Sequence, residues 1–314
     1  MSTTPSSTPA PAPRSSSAAG GRALVLHGGG SAGNAWEIGV IAGLLDAGLD
    51  VTEADLIVGT SAGSTAAAQI TSASPAGLLA AILTAPPRQR ADPAGSGGSD
   101  PPMAPVADHM ERTSRIIAAA QDAADMRRRM GAAALELDAA SDGSGPARWR
   151  ATVAARLPSQ RWPERAVLIT AVDARTGEPV VFDRHSGVDL ADAVAASTSS
   201  GFGVPPCRIG GDRYIDGGYR RNENADLAAG YGRVLVLSPF GGRSRHPPEW
   251  GMQLAAQVDE LRAAGSSVET IFPDESSRSA FGASMMDPST RPPAARAGYD
   301  QGRTLAGRLT RFWR

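Results

Sequence analysis

Hydrophobic and polar positions alternate along the chain in a way that predicts strands and helices in turn. Short apolar runs at 23–27 and 55–58 are typical of buried strands in a parallel sheet. Between them, apolar residues recur at helical spacing and predict a helix over 34–47, with Asn34 and Glu37 as its capping box. The first part of the chain therefore predicts a strand, helix, strand unit.

The rest of the chain continues this mixture of helices and strands. An alanine-rich stretch at 106–137, with an apolar face, predicts one or two helices that lie over the sheet. Further elements follow from similar patterns, and they are a hairpin at 166–182, a short helix at 190–196, a tight hairpin at 209–215, a buried strand at 234–237, a helix at 249–264 and an edge strand at 268–272.

Two loose stretches limit the part of the chain that can fold. Of the first 20 residues, 17 are Ser, Thr, Pro or Ala, which predicts a disordered tail over 1–20. Residues 86–105 contain six Pro and three Gly and predict a loose loop. We expect a single α/β domain over 21–314, interrupted by this loop and by a helical insert at 106–140.

Composition excludes several classes of function. A net charge of −1 provides no general field for phosphate backbones, so nucleic acid is not an expected partner. All 31 basic residues are Arg, which excludes a P-loop lysine, a pyridoxal Schiff base and a Ser-Lys pair. The single cysteine and the four scattered histidines give no metal-ligand spacing. We therefore expect neither a metal nor a cofactor.

No apolar run reaches the length that a bilayer span requires. The start of the chain has no apolar segment after a basic region, as a signal peptide would have, and runs such as 234–237 are far shorter than the roughly 20 residues of a membrane helix. This pattern predicts a cytoplasmic protein that would meet any lipid at a surface.

The segment Gly59–Gly63 has the form G-x-S-x-G, and it lies between an apolar strand and a helix. This is the setting of a nucleophile elbow, in which a sharp turn exposes a serine and small flanking residues avoid a clash. Ser61 would lie at a helix N-terminus, where free N–H groups favour the anionic oxygen of acyl transfer. A glycine-rich turn with a capping serine is the simpler alternative.

The glycine loop at 28–33 fits two known patterns. Its spacing matches G-x-G-x-x-G, but the second strand ends in Gly59 without the acidic residue that a dinucleotide site requires. Residues 27–30 also read H-G-G-G, a sequence whose backbone N–H groups form an oxyanion hole in some lipases. The position of the loop, one strand and helix before Ser61, favours acyl chemistry.

A serine nucleophile needs a general base. Asp216 closes a short strand and precedes two glycines, so its carboxylate could lie over Ser61. Asp-Gly is also an ordinary turn sequence. His109, His185 and His246 are the other candidates for the base.

The order of these motifs resembles the patatin-like phospholipases, a family of lipid acyl hydrolases. The resemblance is carried by the glycine loop at 28–33, by Gly59–Gly63 and by Asp216 with its two glycines, and it extends over about 22–237. It implies a three-layer α/β sandwich with a central, mostly parallel sheet. It also implies a Ser-Asp dyad of Ser61 and Asp216 that works without histidine.

The resemblance assigns the oxyanion hole to backbone N–H groups of the glycine loop and of the residue after the serine. These residues are Gly28, Gly29, Gly30 and Ala62. The sequence departs from the family at Ala32, where the glycine loop of relatives commonly carries Arg or Lys. This change removes a positive charge beside the oxyanion site, and Asn34 is a neutral candidate to replace it.

The resemblance implies a lipid or small ester as substrate and transient contact with a membrane surface. The apolar face of the helical insert offers Ile117 and Met130 as a wall for an acyl chain, because methionine side chains repack easily. Burial of this face in the core is an equally good interpretation of the same pattern.

Two other interpretations of the sequence remain. One is an α/β-hydrolase esterase with a triad of Ser61, Asp216 and His246, although only one strand precedes the elbow strand where that fold has several. The other is a catalytically silent scaffold with the same fold that binds acyl chains or a partner through the insert at 106–137.

Overall fold

The computed structural model describes residues 20–85 and 106–314. The predicted loose loop at 86–105, and the predicted tail up to residue 19, lie outside the described residues. Within the described part, eight strands form one sheet in the order β5-β6-β3-β2-β1-β7-β8, with β4 paired to β3. The strands are β1 Arg22–Leu26, β2 Leu56–Gly59, β3 Ala166–Asp173, β4 Pro179–Phe182, β5 Cys207–Ile209, β6 Asp212–Asp216, β7 Arg233–Leu237 and β8 Ser267–Ile271.

The five strands β3, β2, β1, β7 and β8 are parallel, whereas β4, β5 and β6 are antiparallel.

The helices are α1 Gly30–Asp46, α2 Ala62–Ile70, α3 Pro75–Thr84, α4 Val106–Ala119, α5 Ala123–Ala139, α6 Gly145–Ala154, α7 Leu190–Ser197, α8 Leu254–Ala263, α9 Glu275–Ala280 and α10 Arg291–Trp313. Both predicted hairpins and the predicted edge strand at 268–272 are confirmed, since β8 ends the sheet.

Alternate residues of the central strands pack against helices on opposite faces of the sheet. Leu24 and Leu26 belong to the apolar cluster that contains α1, α7 and α10, whereas Ala23 and Val25 belong to the cluster that contains α8. Strands buried on both faces read as continuous apolar runs, which explains why β1 and β2 were recognisable from the sequence. The predicted α/β class, with a central mostly parallel sheet between helices, is confirmed.

The helical insert consists of α4 and α5 and packs over the end of the sheet. Met130 on α5 has no exposed surface and packs with Val172 and Ile215, the residue before Asp216. Met130 is thus enclosed in the core, as the alternative interpretation of this apolar face expects, and its role in an acyl-chain wall stays a prediction. Ile117 on α4 is 7% exposed and borders a surface cleft.

Helix α1 begins at Gly30, four residues before the predicted start, so the predicted capping box of Asn34 and Glu37 is wrong. The earlier start is possible because the first turn finds acceptors for its N–H groups: Ala32 donates to the Met285 carbonyl at 2.9 Å and Gly33 to the Gly29 carbonyl at 2.8 Å. The acceptor at 285 is distant in sequence, so no local pattern could reveal it.

Other helices also differ from the sequence expectation, and α3, α6 and α9 were not predicted. The predicted helix at 249–264 is shorter, because Gly251 adopts a left-handed φ of 62° and separates a short 3-10 turn from α8. Helix α10 was not predicted, and it packs closely on α1 through small residues. Among the described residues, no helix is long and apolar enough to cross a membrane.

Candidate active site

Ser61 occupies the sharp turn between β2 and α2. Its backbone has φ 53° and ψ −122°, and only Asn224 shares a positive φ among the described non-glycine residues. Strained backbone of this kind persists only where the surrounding structure enforces it, and it is concentrated at functional sites. The Ser61 amide donates to the Ser197 hydroxyl at 2.9 Å, which holds the turn from the end of α7.

The glycines on both sides of Ser61 allow the turn to form. A Cβ on Gly59 would lie 2.7 Å from the Cα of Ser64, and a Cβ on Gly63 would overlap the Leu26 carbonyl. Both contacts involve backbone, which cannot move aside as a flexible side chain can. The steric reason for the G-x-S-x-G pattern is thus confirmed.

Replacing Gly63 by alanine is expected to destabilise the fold by about 3 kcal/mol or more, the upper range for overpacking a core. The new methyl group would push α2 away from β1. Gly211→Ala is the matched control, because a Cβ there meets nothing within 4 Å, and it should change stability by less than about 0.5 kcal/mol. Urea denaturation measures both, and equal midpoints would contradict the steric account.

The glycine loop lies directly against Ser61. An ideal Cβ on Gly28 would lie 3.0 Å from the Ser61 Cβ and 3.4 Å from its Oγ. Among the described residues, the backbone N–H groups of Gly28, Gly29, Gly30 and Ala62 have no hydrogen-bond acceptor. The loop and the start of α2 thus bring free N–H donors to the serine from two helix N-termini.

Asp216 ends β6 and lies beside Ser61. Its backbone amide donates to the Ser199 carbonyl at 2.8 Å, and one carboxyl oxygen accepts the Gly218 amide at 2.8 Å. Burial raises the pKa of Asp216 to about 6, against the opposing effect of hydrogen bonds from the Ser61 hydroxyl and the Gly218 amide. Serine and aspartate, far apart in sequence, are thus neighbours, and the pKa of the aspartate lies closer to neutral pH than that of an exposed carboxyl.

A buried polar network that the sequence analysis missed connects the two residues. The amide group of Asn224 donates to the Thr60 hydroxyl at 3.0 Å, to the Thr170 hydroxyl at 3.3 Å and to the Gly217 carbonyl at 3.0 Å. Thr60 precedes the serine and Gly217 follows the aspartate, so Asn224 joins both turns. Asn224 has a left-handed backbone with φ 56°, a conformation that asparagine tolerates, so the residue type itself is the one local signal in the sequence.

Asn224→Gly should lower kcat about tenfold or more with little change in KM for a short ester. Glycine keeps the left-handed backbone but removes the three hydrogen bonds, so the two turns lose their fixed separation. Asn222→Ala serves as the control, because it removes another buried amide that bonds to the Arg243 carbonyl and to His246 instead. An unchanged kcat in Asn224→Gly would show that the network has no influence on the site.

The histidines take other positions. His246 Nδ1 lies 3.1 Å from the Ser244 hydroxyl and 3.2 Å from the Asn222 side-chain oxygen, and burial lowers the pKa of His246 to about 4. His185 is exposed in the turn after β4. In the described part of the chain, neither Ser61 nor Asp216 forms a hydrogen bond with a histidine. This geometry gives the triad interpretation no support.

The remaining sequence candidates lie beside the loop. Asn34 is buried, and its amide binds Gln69 at 3.1 Å and accepts from Arg291 at 3.0 Å, so its side chain is already engaged. Ala32 is fully buried. No group of three or more metal-ligating side chains occurs in the described residues.

Comparisons with known proteins place the chain in a family. The family model for patatin-like phospholipase matches residues 24–229. Among solved structures, VipD from Legionella pneumophila shares 15% identity with a TM-score of 0.42, over 92% of this chain and 67% of VipD. The type III effector protein ExoU shares 14% identity with a TM-score of 0.38, over 92% of this chain and 53% of ExoU, so this chain spans about half of its length. Similarity this low in both structures supports no functional conclusion, and no curated protein sequence matches the chain.

Proposed function

The chain belongs to the patatin-like phospholipase family, and from this premise we propose that it hydrolyses ester bonds of lipids through a dyad of Ser61 and Asp216. The observation that carries the proposal is the strained Ser61, with φ 53°, held between the glycine loop and the Asp216 carboxyl. Backbone strain of this kind is typical of a serine that is exposed as a nucleophile.

The first half of the reaction forms an acyl-enzyme. The Ser61 hydroxyl attacks the ester carbonyl carbon and passes its proton to the Asp216 carboxylate. The resulting oxyanion is stabilised by backbone N–H groups of the glycine loop, Gly28, Gly29 and Gly30, and by that of Ala62. When the tetrahedral intermediate collapses, the bond to the alcohol breaks and the proton on Asp216 moves to the leaving oxygen.

The second half repeats these roles with water. Asp216 takes a proton from water, which attacks the acyl carbon, and the same N–H groups hold the second oxyanion. The bond to Ser61 then breaks, the serine regains its proton from Asp216, and the fatty acid leaves. Every proton that Asp216 accepts is returned within the cycle, so the dyad needs neither a histidine nor a cofactor.

Release of fatty acid from soluble short-chain lipids tests the proposal. The substrates are dihexanoylphosphatidylcholine below its micelle concentration and p-nitrophenyl hexanoate, with thermally unfolded protein as the control. We expect both esters to be cleaved by the folded protein alone. Folded protein that cleaves neither would contradict the proposal and favour a silent scaffold that binds lipid.

A further inference from the structure

The segment that joins α9 to α10 lies directly on the glycine loop. The Met285 carbonyl accepts the Ala32 amide at 2.9 Å, and a Cβ on Gly30 would lie 2.5 Å from the Met286 sulfur. This segment and α10 follow the residues 24–229 that the family model matches. Membership of the family therefore does not explain why they contact the loop.

Arg291, the first residue of α10, binds the glycine loop and α1 through one guanidinium nitrogen. Its Nη1 donates to the Ser31 carbonyl at 3.3 Å and to the Asn34 side-chain oxygen at 3.0 Å. The arginine is partly buried. The dipole of a helix opposes a cation at its N-terminus, so α10 itself gains nothing from an arginine at this position. The contacts with the loop and with Asn34 give the residue a different role.

Asn34 extends this contact to α2. It lies in the second turn of α1 and is 4% exposed. Its side-chain nitrogen donates to the Gln69 side-chain oxygen at 3.1 Å and to the Ala62 carbonyl at 3.5 Å. Because arginine can only donate, Arg291 binds the oxygen of the Asn34 amide and leaves the nitrogen to face α2. The hydrogen bonds thus link the first residue of α10 to the first residue of α2.

The two helix N-termini that are linked in this way carry the free N–H groups beside Ser61. The glycine loop and the start of α1 supply those of Gly28, Gly29 and Gly30, and the start of α2 supplies that of Ala62. Donors stabilise an oxyanion well only if they are already aligned when the charge develops, and a small displacement is costly. The relative position of α1 and α2 therefore decides how well these groups can act on one oxygen atom.

We propose that Arg291 is a positioning residue of the oxyanion hole. Through Ser31 and Asn34 it fixes the first turns of α1 and α2 relative to each other, so that their N–H groups meet at one oxygen atom beside Ser61. This inference rests on the proposed ester hydrolysis and adds a residue of α10 to its site. A residue that acts in this way affects kcat rather than KM.

The first test is the split between kcat and KM for p-nitrophenyl hexanoate. The side chain of Arg291→Gln is too short to reach Asn34, so kcat should fall about tenfold while KM stays within twofold. Arg291→Lys keeps a donor at nearly the same reach and should recover most of the loss. Arg296→Gln is the matched control, because Arg296 is an exposed arginine further along α10, and its kcat should equal the wild-type value.

A double variant tests whether Arg291 acts through Asn34. Both Arg291→Gln and Asn34→Ala break the same link, so the kcat of the double variant should stay within twofold of that of the slower single variant. Losses that multiply would contradict the proposed route. If Arg291→Gln does not fold, Asn34→Ala must show the loss in kcat by itself, and an unchanged kcat there would overturn the proposal.

Binding of a product anion gives a measurement without turnover. In an Asp216→Asn background, which removes the carboxylate that would repel an anion, titrations followed by NMR give the Kd of hexanoate and of its neutral analogue hexanamide. Hydrogen bonds to a charged oxygen are about twice as strong as those to a neutral one. Arg291→Gln should therefore raise the Kd of hexanoate about fivefold and that of hexanamide less than twofold. Equal changes for both ligands would show a merely structural role.

These measurements separate the positioning role from the proposed function. A wild-type protein that cleaves esters, with an unchanged kcat in Arg291→Gln, would overturn the positioning role and leave ester hydrolysis standing. If the wild type cleaves no ester, the selective loss of hexanoate affinity still supports the positioning of the N–H groups. Equal affinities for hexanoate and hexanamide in the Asp216→Asn protein would then overturn it.

Discussion

Replacing Ser61 by alanine is expected to lower ester hydrolysis by at least about 10³-fold, because the variant has no oxygen to form the acyl-enzyme. The fold should survive, since alanine is smaller than serine and the Ser197 hydroxyl still accepts the backbone amide of residue 61. The measurement is the initial rate of p-nitrophenyl hexanoate cleavage, with circular dichroism to verify the fold.

Ser72→Ala is the matched control for this variant. Ser72 is an exposed serine just beyond the other end of α2, and its hydroxyl bonds to the Ala68 carbonyl. Its rate should equal that of the wild type. A Ser61→Ala protein that retains a tenth of the wild-type rate or more would exclude Ser61 as the nucleophile.

The second large effect is expected for Asp216→Asn, which should lower kcat by about 10²–10⁴-fold, the usual contribution of a general base. Asparagine is nearly the same size and can still accept the Gly218 amide, so the turn after β6 is retained. What it loses is the ability to take the serine proton.

Histidine variants are the controls for the aspartate. The kcat of His246→Ala and of His185→Ala should stay within a few fold of the wild-type value, because no histidine accepts or donates a proton in the dyad mechanism. A His246→Ala enzyme that is folded but inactive would support the triad interpretation and contradict the dyad.

The dyad also predicts the pH dependence. Asp216 acts as a base only when ionised, and burial raises its pKa to about 6. The value of kcat/KM should therefore rise with pH and reach half of its plateau near pH 6. A protonated aspartate below that pH cannot accept the proton, so activity is lost on the acid side. The pH profile measured with a neutral ester checks this.

The elements that the sequence predicts well are those fixed by local sterics. Gly59 and Gly63 are required by backbone atoms only a few residues away or on the adjacent strand, and β1 and β2 are buried on both faces. Such features leave a pattern in consecutive residues. The proximity of the glycine loop to Ser61 followed from the order of strand, helix and strand.

The features that the sequence did not predict depend on contacts between distant residues. Asn224 bonds to Thr60 across 164 positions, and the first turn of α1 depends on the carbonyl of Met285. The sequence left the burial of Met130 open, because that burial depends on Val172 and Ile215, which approach it only once the sheet has formed. An apolar helical face has the same spacing whether it meets substrate or core, so periodicity could not decide between these roles.

Reacting the protein with a fluorophosphonate and locating the adduct by mass spectrometry of its peptides shows directly whether Ser61 is the nucleophile. We expect one adduct per chain, on Ser61, with labelling strongly reduced in Asp216→Asn and unchanged in His246→Ala. A folded wild-type protein that remains unlabelled, or that carries the adduct on another residue, would contradict this assignment.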